Sequence, residues 1–235
     1  MRRNVRRWGP MVLACAVGCS SPSTAMNQRG VALFNSGRYD AAADEFHQAT
    51  QADPLNADAF YNLGSAQHRL GNVEAAESNY AHALALDPNH SKAHHAHVVL
   101  MLEQSRTDDA LASAEQWLSE APANPDALIE MAWLERQTGR SERAHELLQQ
   151  TLAVSPSHPR ALAELASLYE ESGQPDRALA LYNRALAADP NRPELAGKVA
   201  GARAAMAPSP RDRESLDTAA APSSRPTRDL RYQMR

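Results

Sequence analysis

Between residues 57 and 70, Phe60, Leu63, Gly64 and Gln67 return at steps of three and four. That spacing places them on one side of a helix, and no strand-like alternation survives over the same length. Gly71 follows, and glycine accepts the left-handed conformation that closes a helix. A second helical stretch then runs towards Pro88, where the missing N–H denies the next backbone hydrogen bond. The pattern predicts two antiparallel helices, A and B, joined by a tight turn.

The same pattern returns along the chain. Pro54, Pro88, Pro122, Pro156 and Pro190 stand 34 residues apart, with no insertion between them. Twelve residues before each proline is an alanine: Ala42, Ala76, Ala110, Ala144 and Ala178. Seventeen before each lies Gly37, Gly71, Ser105, Gly139 or Gly173, and twenty-four before each lies Gly30, Gly64, Val98, Ala132 or Ala166. A fixed period of this length means stacked copies of one supersecondary unit. Small residues in these slots let the paired helices approach, and larger ones would overpack them. Helix B carries an acid in its first turn in every copy, Asp40, Glu74, Asp108, Glu142 and Asp176. Each complements the helix dipole by about 0.3–1 kcal/mol.

The third copy departs in one place. It has Ala114 where the others have Phe46, Tyr80, Leu148 and Tyr182, and Trp117 where they have Ala49, Ala83, Thr151 and Ala185. Residues three apart share a helix face. The exchange therefore predicts that Trp117 occupies the space Ala114 vacates, roughly conserving core volume.

This register resembles the tetratricopeptide repeat family over roughly Ser23 to Arg192, and the second copy (ADAFYNLGSAQHRLGNVEAAESNYAHALALDPNH) matches nearly every signature slot. The resemblance implies an all-α, right-handed α-solenoid of five 34-residue helix-turn-helix repeats, at 23–56, 57–90, 91–124, 125–158 and 159–192, within an array taken as 25–192. A capping helix at 193–207 follows, since arrays end in a more polar helix that covers the last face. Residues 208–235 are rich in Pro, Ser, Arg and Ala and read as a disordered tail, because such a composition does not offset its ordering entropy.

Charge divides the chain. Residues 1–24 carry +4, residues 25–207 carry 14 basic and 24 acidic groups, and residues 208–235 carry +2. An acidic array argues against nucleic acid as a partner, where a basic stripe would be needed. The basic start MRRNVRR and the short apolar run after it read as an export signal, too short for a membrane span. Ala16-Val17-Gly18-Cys19-Ser20-Ser21 resembles a bacterial lipobox with Ala16 in place of the usual Leu, and Val12-Leu13-Ala14-Cys15 is a competing run. The resemblance implies a signal peptide over 1–19, lipid attachment at Cys19 and a short tether at 20–24. The protein is then expected to be exported and held on a membrane, facing the periplasm or cell exterior. Both cysteines lie in this segment, so the repeats hold no internal disulfide.

Candidate chemistry is sparse. There is no Gly-rich phosphate loop, and no cofactor is expected. His145-Glu146-Leu147-Leu148-Gln149 lacks the second histidine that a zinc-protease motif needs. His90, His94, His95 and His97 form the nearest thing to a metal site, since His90 and His94 are one turn apart. No carboxylate or cysteine close in sequence completes a shell, so no metal is assigned; a metal-binding or enzyme-accessory protein using His90–His97 is the alternative function. What remains is surface.

In the family the inner wall is lined by helix A, one residue beyond the core stripe. Carried over by register, the wall includes Phe34, Tyr61, His68, His95, Val99, Leu102, Ile129, Trp133 and Arg136, together with Asn27, Val31 and Ser65. Aromatic residues in a groove are typical anchors for a peptide. The lysine and asparagine set with which some members clamp a terminal carboxylate is replaced by Tyr61, Ser65, His95 and Val99 in the slots assigned to it. The sequence thus points to a non-catalytic scaffold that binds a protein or peptide partner and serves assembly of an envelope complex.

Overall fold

A computed structural model describes residues 21–206, and among them every regular element is an α-helix. The export signal with Cys15 and Cys19, and the tail from 208, lie outside the described residues. Helices α1 (Pro22–Asn35) and α2 (Tyr39–Ala52) form the first pair, followed by α3 (Ala57–Arg69) with α4 (Val73–Leu86). The next pairs are α5 (Ser91–Glu103) with α6 (Thr107–Glu120), and α7 (Pro125–Gln137) with α8 (Ser141–Val154) in sequence. Helices α9 (Pro159–Glu171) and α10 (Pro175–Ala188) precede a single α11 (Pro193–Ala205).

The chain divides into two compact units, one reaching Met131 and the other starting at Ala132. In the first, each of α1 to α6 packs on the next, and α1 also meets α3, as α3 meets α5. In the second, α8 packs on α9, α9 on α10 and α10 on α11. The first unit holds the array's excess charge, with five basic and fifteen acidic residues over 21–131 against nine of each over 132–206.

The first helix begins inside the segment expected to be a tether. Ser21 accepts a hydrogen bond from the Thr24 N–H at 3.2 Å, and Pro22 takes the first helical position, where its missing N–H costs nothing. Two helices later the cap is Asn56, whose Oδ1 accepts from the Ala59 N–H at 3.0 Å. His90 and His158 do the same with Nδ1, towards the Ala93 and Ala161 N–H groups at 3.1 and 3.4 Å. A helices are therefore capped by side chains. The B helices α2, α4, α6, α8 and α10 have no such bond and rely on the acid in the first turn.

Each A helix closes the same way. Gly71 sits at φ 78°, its N–H reaches the His68 carbonyl at 3.0 Å, and the Asn72 N–H reaches the Gln67 carbonyl at 2.9 Å. This is the two-bond closure that a left-handed residue permits. In the third copy Ser105 makes the same turn at φ 60°, a conformation that side chains with a Cβ pay to adopt.

Close approach of the paired helices decides the core. A methyl group added to Gly30 would lie 2.5 Å from the Phe46 ring, and one added to Gly64 would lie 2.7 Å from the Tyr80 ring. The ring of helix B thus fills the space above a glycine of helix A. By register the corresponding pair in the third copy is Val98 and Ala114, both buried. This corrects the expected role of Trp117. The volume lost at Ala114 is matched by Val98 on the facing helix, and Trp117 lies elsewhere, stacked on His94 with ring centroids 3.8 Å apart and planes 6° apart. Trp117 is nevertheless buried, with 2% of its surface exposed.

Candidate partner-binding surface

The A helices of the first unit lie side by side, and their polar residues bridge at a constant offset. Asn62 Nδ2 donates to Asn27 Oδ1 at 2.9 Å, and His68 Nε2 meets Glu103 Oε2 at 2.6 Å. His95 Nδ1 lies 3.0 and 3.1 Å from the two oxygens of Glu130, a fully buried carboxylate. Within the second unit Arg136 donates to Glu171 at 2.6 Å and to Glu164 at 2.9 Å. Four of these pairs are 35 residues apart, one repeat plus one position. An offset of one repeat reaches the same slot of the next helix, and one further residue brings the side chains face to face.

Several residues expected on the inner wall are therefore engaged within the chain. His68, His95 and Arg136 bridge neighbouring A helices, so their polar atoms serve packing between copies. Ile129 is fully buried and offers no surface to a partner, a correction to its expected place. Phe34, Tyr61, Val99, Leu102 and Trp133 remain half-buried. Phe34 meets Tyr39 edge-on with centroids 5.1 Å apart, and the Tyr61 ring lies 5.2 Å from that of His90.

Phe34 and Tyr61 share an open pocket of about 480 Å³ within the first unit. Helix α1 contributes Asn27, Val31 and Phe34, α3 contributes Asp58, Tyr61, Asn62 and Ser65, and α5 contributes Lys92. Rings and an aliphatic side chain supply apolar area, while two amides and an exposed ammonium supply directed polar contacts. A pocket of this size and composition suits a peptide segment better than a reaction, since no nucleophile and base converge in it. Asn62 and Lys92 were not among the wall residues read from the sequence. Their signal is faint, because Asn62 sits one position beyond Tyr61 and Lys92 stands at the start of its helix, where register alone does not aim it.

The histidine cluster disperses. His90 Nε2 turns to Asp58 at 3.2 Å while Nδ1 caps α5. His94 Nε2 donates to the Pro88 carbonyl at 2.9 Å. His97 is buried with no hydrogen bond at either ring nitrogen, its Nε2 3.8 Å from Glu77. Among the described residues, no three histidines, cysteines or acids are placed to hold a metal ion. Burial lowers the pKa of His94 and of His97, so both stay neutral to lower pH than usual. Burial likewise pushes the phenols of Tyr80 and Tyr182 up to about 12. His145 of the incomplete zinc motif lies 3.2 Å from the Tyr169 hydroxyl.

Comparison with known proteins fits this geometry. Family models described as "Tetratricopeptide repeat" match residues 27–91, 101–154 and 135–202. The chain belongs to the tetratricopeptide repeat family. Its all-α fold is that family's solenoid type, and tetratricopeptide repeats mediate protein–protein interaction. A thermophilic tetratricopeptide repeat protein of Thermus thermophilus is similar at 26% identity and TM-score 0.62, over 77% of this chain and 99% of that one. A tetratricopeptide repeat protein of Parabacteroides merdae shares the fold at 21% identity and TM-score 0.52, over 85% of this chain and 79% of that one. Among curated relatives, RNA polymerase II-associated protein 3 of Homo sapiens is 26% identical over 126 residues, 54% of this chain and 19% of its own length. The DnaJ homolog subfamily C member 7 homolog of Dictyostelium discoideum is 27% identical over 123 residues, 51% of this chain and 22% of its own length. The chain spans about a fifth of the length of these curated relatives. Among the described residues, no helix is long and apolar enough to cross a membrane.

Proposed function

We propose that this tetratricopeptide repeat protein is a non-catalytic scaffold that binds a peptide segment of a partner protein on the A-helix face of its first unit. The observation that carries the reading is the pocket of about 480 Å³ in which Phe34 and Tyr61 meet the Asn27 and Asn62 amides and the Lys92 ammonium. Rings anchor an apolar side chain, amides meet a peptide backbone, and Lys92 favours an acidic group nearby. Trp133, Val99 and Leu102 are further apolar contacts expected to matter for a longer partner.

The scaffold is proposed to act on a membrane in the assembly of an envelope complex. That part rests on the sequence alone, on the basic and apolar run up to Cys19 and its likeness to a lipobox. Mass spectrometry of the N-terminus from a membrane fraction tests it, with a lipid on Cys19 expected and a free, unmodified Cys19 in a soluble fraction counting against it. For the binding face, a peptide array is probed with the wild type and with Tyr61→Ala, Lys92→Glu and Trp133→Ala variants. Loss of captured peptides in Tyr61→Ala and Lys92→Glu is expected; unchanged capture in both removes this face as the binding site.

A further inference from the structure

On the B-helix side of the first unit, α4 and α6 enclose a hollow of about 380 Å³ floored by α5. Ala81, Leu84 and Ala85 form one wall, and Trp117 contributes to the other. The polar groups facing it are of one kind. Gln116 gives its amide N–H to Glu120 at 2.9 Å, which leaves its carbonyl oxygen as an acceptor beside the Glu120 carboxylate. His97 reaches the hollow with both ring nitrogens buried and unbonded, and neutral imidazole keeps one lone pair. Ser113 adds a hydroxyl oxygen. No lysine or arginine lines the hollow, and the unit around it has ten more acids than bases.

We propose that this hollow is a second binding site, separate from the A-helix face, that takes an alkyl ammonium or guanidinium group: a donor-only cationic head on an apolar stem. The stem lies along Ala81, Leu84 and Ala85, and the head meets the Glu120 carboxylate, the Gln116 carbonyl and the His97 lone pair. A head that only donates is the complement of a surface that only accepts, whereas a second acceptor would leave the buried imidazole unsatisfied at a cost of about 1–3 kcal/mol. The volume falls in the range of ordinary ligand pockets, apolar walls with a few convergent polar groups. The residues that build it are peculiar to this copy. His94 and His97 stand where other copies have Phe60 and Leu63, Leu128 and Met131, or Leu162 and Leu165, and Trp117 stands where they have alanine or threonine. A fold that needs only an apolar seam here instead keeps a buried imidazole without a partner. Burial also holds that ring neutral, so its lone pair stays available.

The chemistry has two sources, a free alkylamine or the lysine or arginine side chain of a basic partner segment. The test titrates the full chain with agmatine and, separately, with a capped Gly-Arg-Gly peptide by calorimetry, at about 0.15 M ionic strength so that diffuse attraction is screened. Saturable one-to-one binding is expected, weakened about tenfold or more in both Glu120→Gln and His97→Leu, and unchanged in Tyr61→Ala. Glu120 is exposed, so Glu120→Gln leaves folding intact. Agmatine alone binding assigns the site to a free amine, and equal binding of the peptide assigns it to a partner side chain. No saturable binding of either, or affinities unchanged in both hollow variants, overturns the proposal. Because Tyr61→Ala reports on the A-helix face, failure here and failure of the peptide-binding reading are read separately.

Discussion

Trp117 and His94 lie ring on ring, 3.8 Å between centroids and 6° between planes, in the one copy where both the aromatic slot of helix B and the apolar slot of helix A have changed. The indole N–H also points to Asn89 Oδ1 at 3.4 Å. Removing the ring deletes a large buried side chain and leaves the imidazole without its stacking partner. Trp117→Ala is expected to cost about 3–5 kcal/mol in urea unfolding. A loss well under that range would mean the ring contributes little buried area.

The glycine-to-ring contact predicts a coupled pair. Gly64→Ala forces a methyl against the Tyr80 ring and backbone, and overpacking of this kind costs about 1–3 kcal/mol. The fourth copy pairs Ala132 with Leu148, so adding Tyr80→Leu to Gly64→Ala is expected to recover part of the loss. A double-mutant cycle should show coupling of at least about 0.5 kcal/mol. Additive effects would mean that the two side chains do not share one space.

Ser105 holds a left-handed turn that the other four copies give to glycine. Ser105→Gly removes the Cβ penalty at that position and is expected to raise stability by about 1 kcal/mol. The same substitution elsewhere on the surface should be neutral or unfavourable, which makes the sign of the change the test.

His97 and His94 make stability depend on pH. Their folded-state pKa values are lowered from the ordinary 6.5, chiefly by burial. The unfolded chain then binds protons at a higher pH than the folded one does. Stability is full above about pH 6.5 and is lost as pH falls below that value towards the folded-state pKa. Around His97 stand Glu77 from α4, which opposes the shift, Arg106 from the turn before α6, which adds to it, and His94 on its own helix. His97→Leu places an apolar residue in an apolar slot and is expected to flatten the acid limb of the melting temperature against pH. An unchanged limb would assign it to other groups.

The repeat, its helices and much of the core were legible in the sequence because they depend on contacts within a copy. The 34-residue spacing, the helix-closing residues at Gly71 and its equivalents, and the small slots at Gly30 and Gly64 all act on neighbours in the same hairpin. The volume exchange in the third copy was legible only in part. Ala114 announced that space had been vacated, and two residues were available to fill it, Trp117 on the same helix and Val98 on the facing one. Periodicity along one helix favoured Trp117, whereas the facing helix supplies Val98.

The surface was less legible, for a physical reason. Which wall residues remain available depends on pairing between copies at an offset of 35, and that offset is fixed by how one hairpin leans on the next. The amino-acid order by itself determined the period, the helical pairs, their ends and the family. Tertiary structure alone decided that His68, His95 and Arg136 hold neighbouring helices together, that Ile129 is buried, that Asn62 and Lys92 join Tyr61 in one pocket, and that His97 lies unbonded beneath another. Local propensity specifies a repeat, but the burial of each face is set by the neighbour stacked on it.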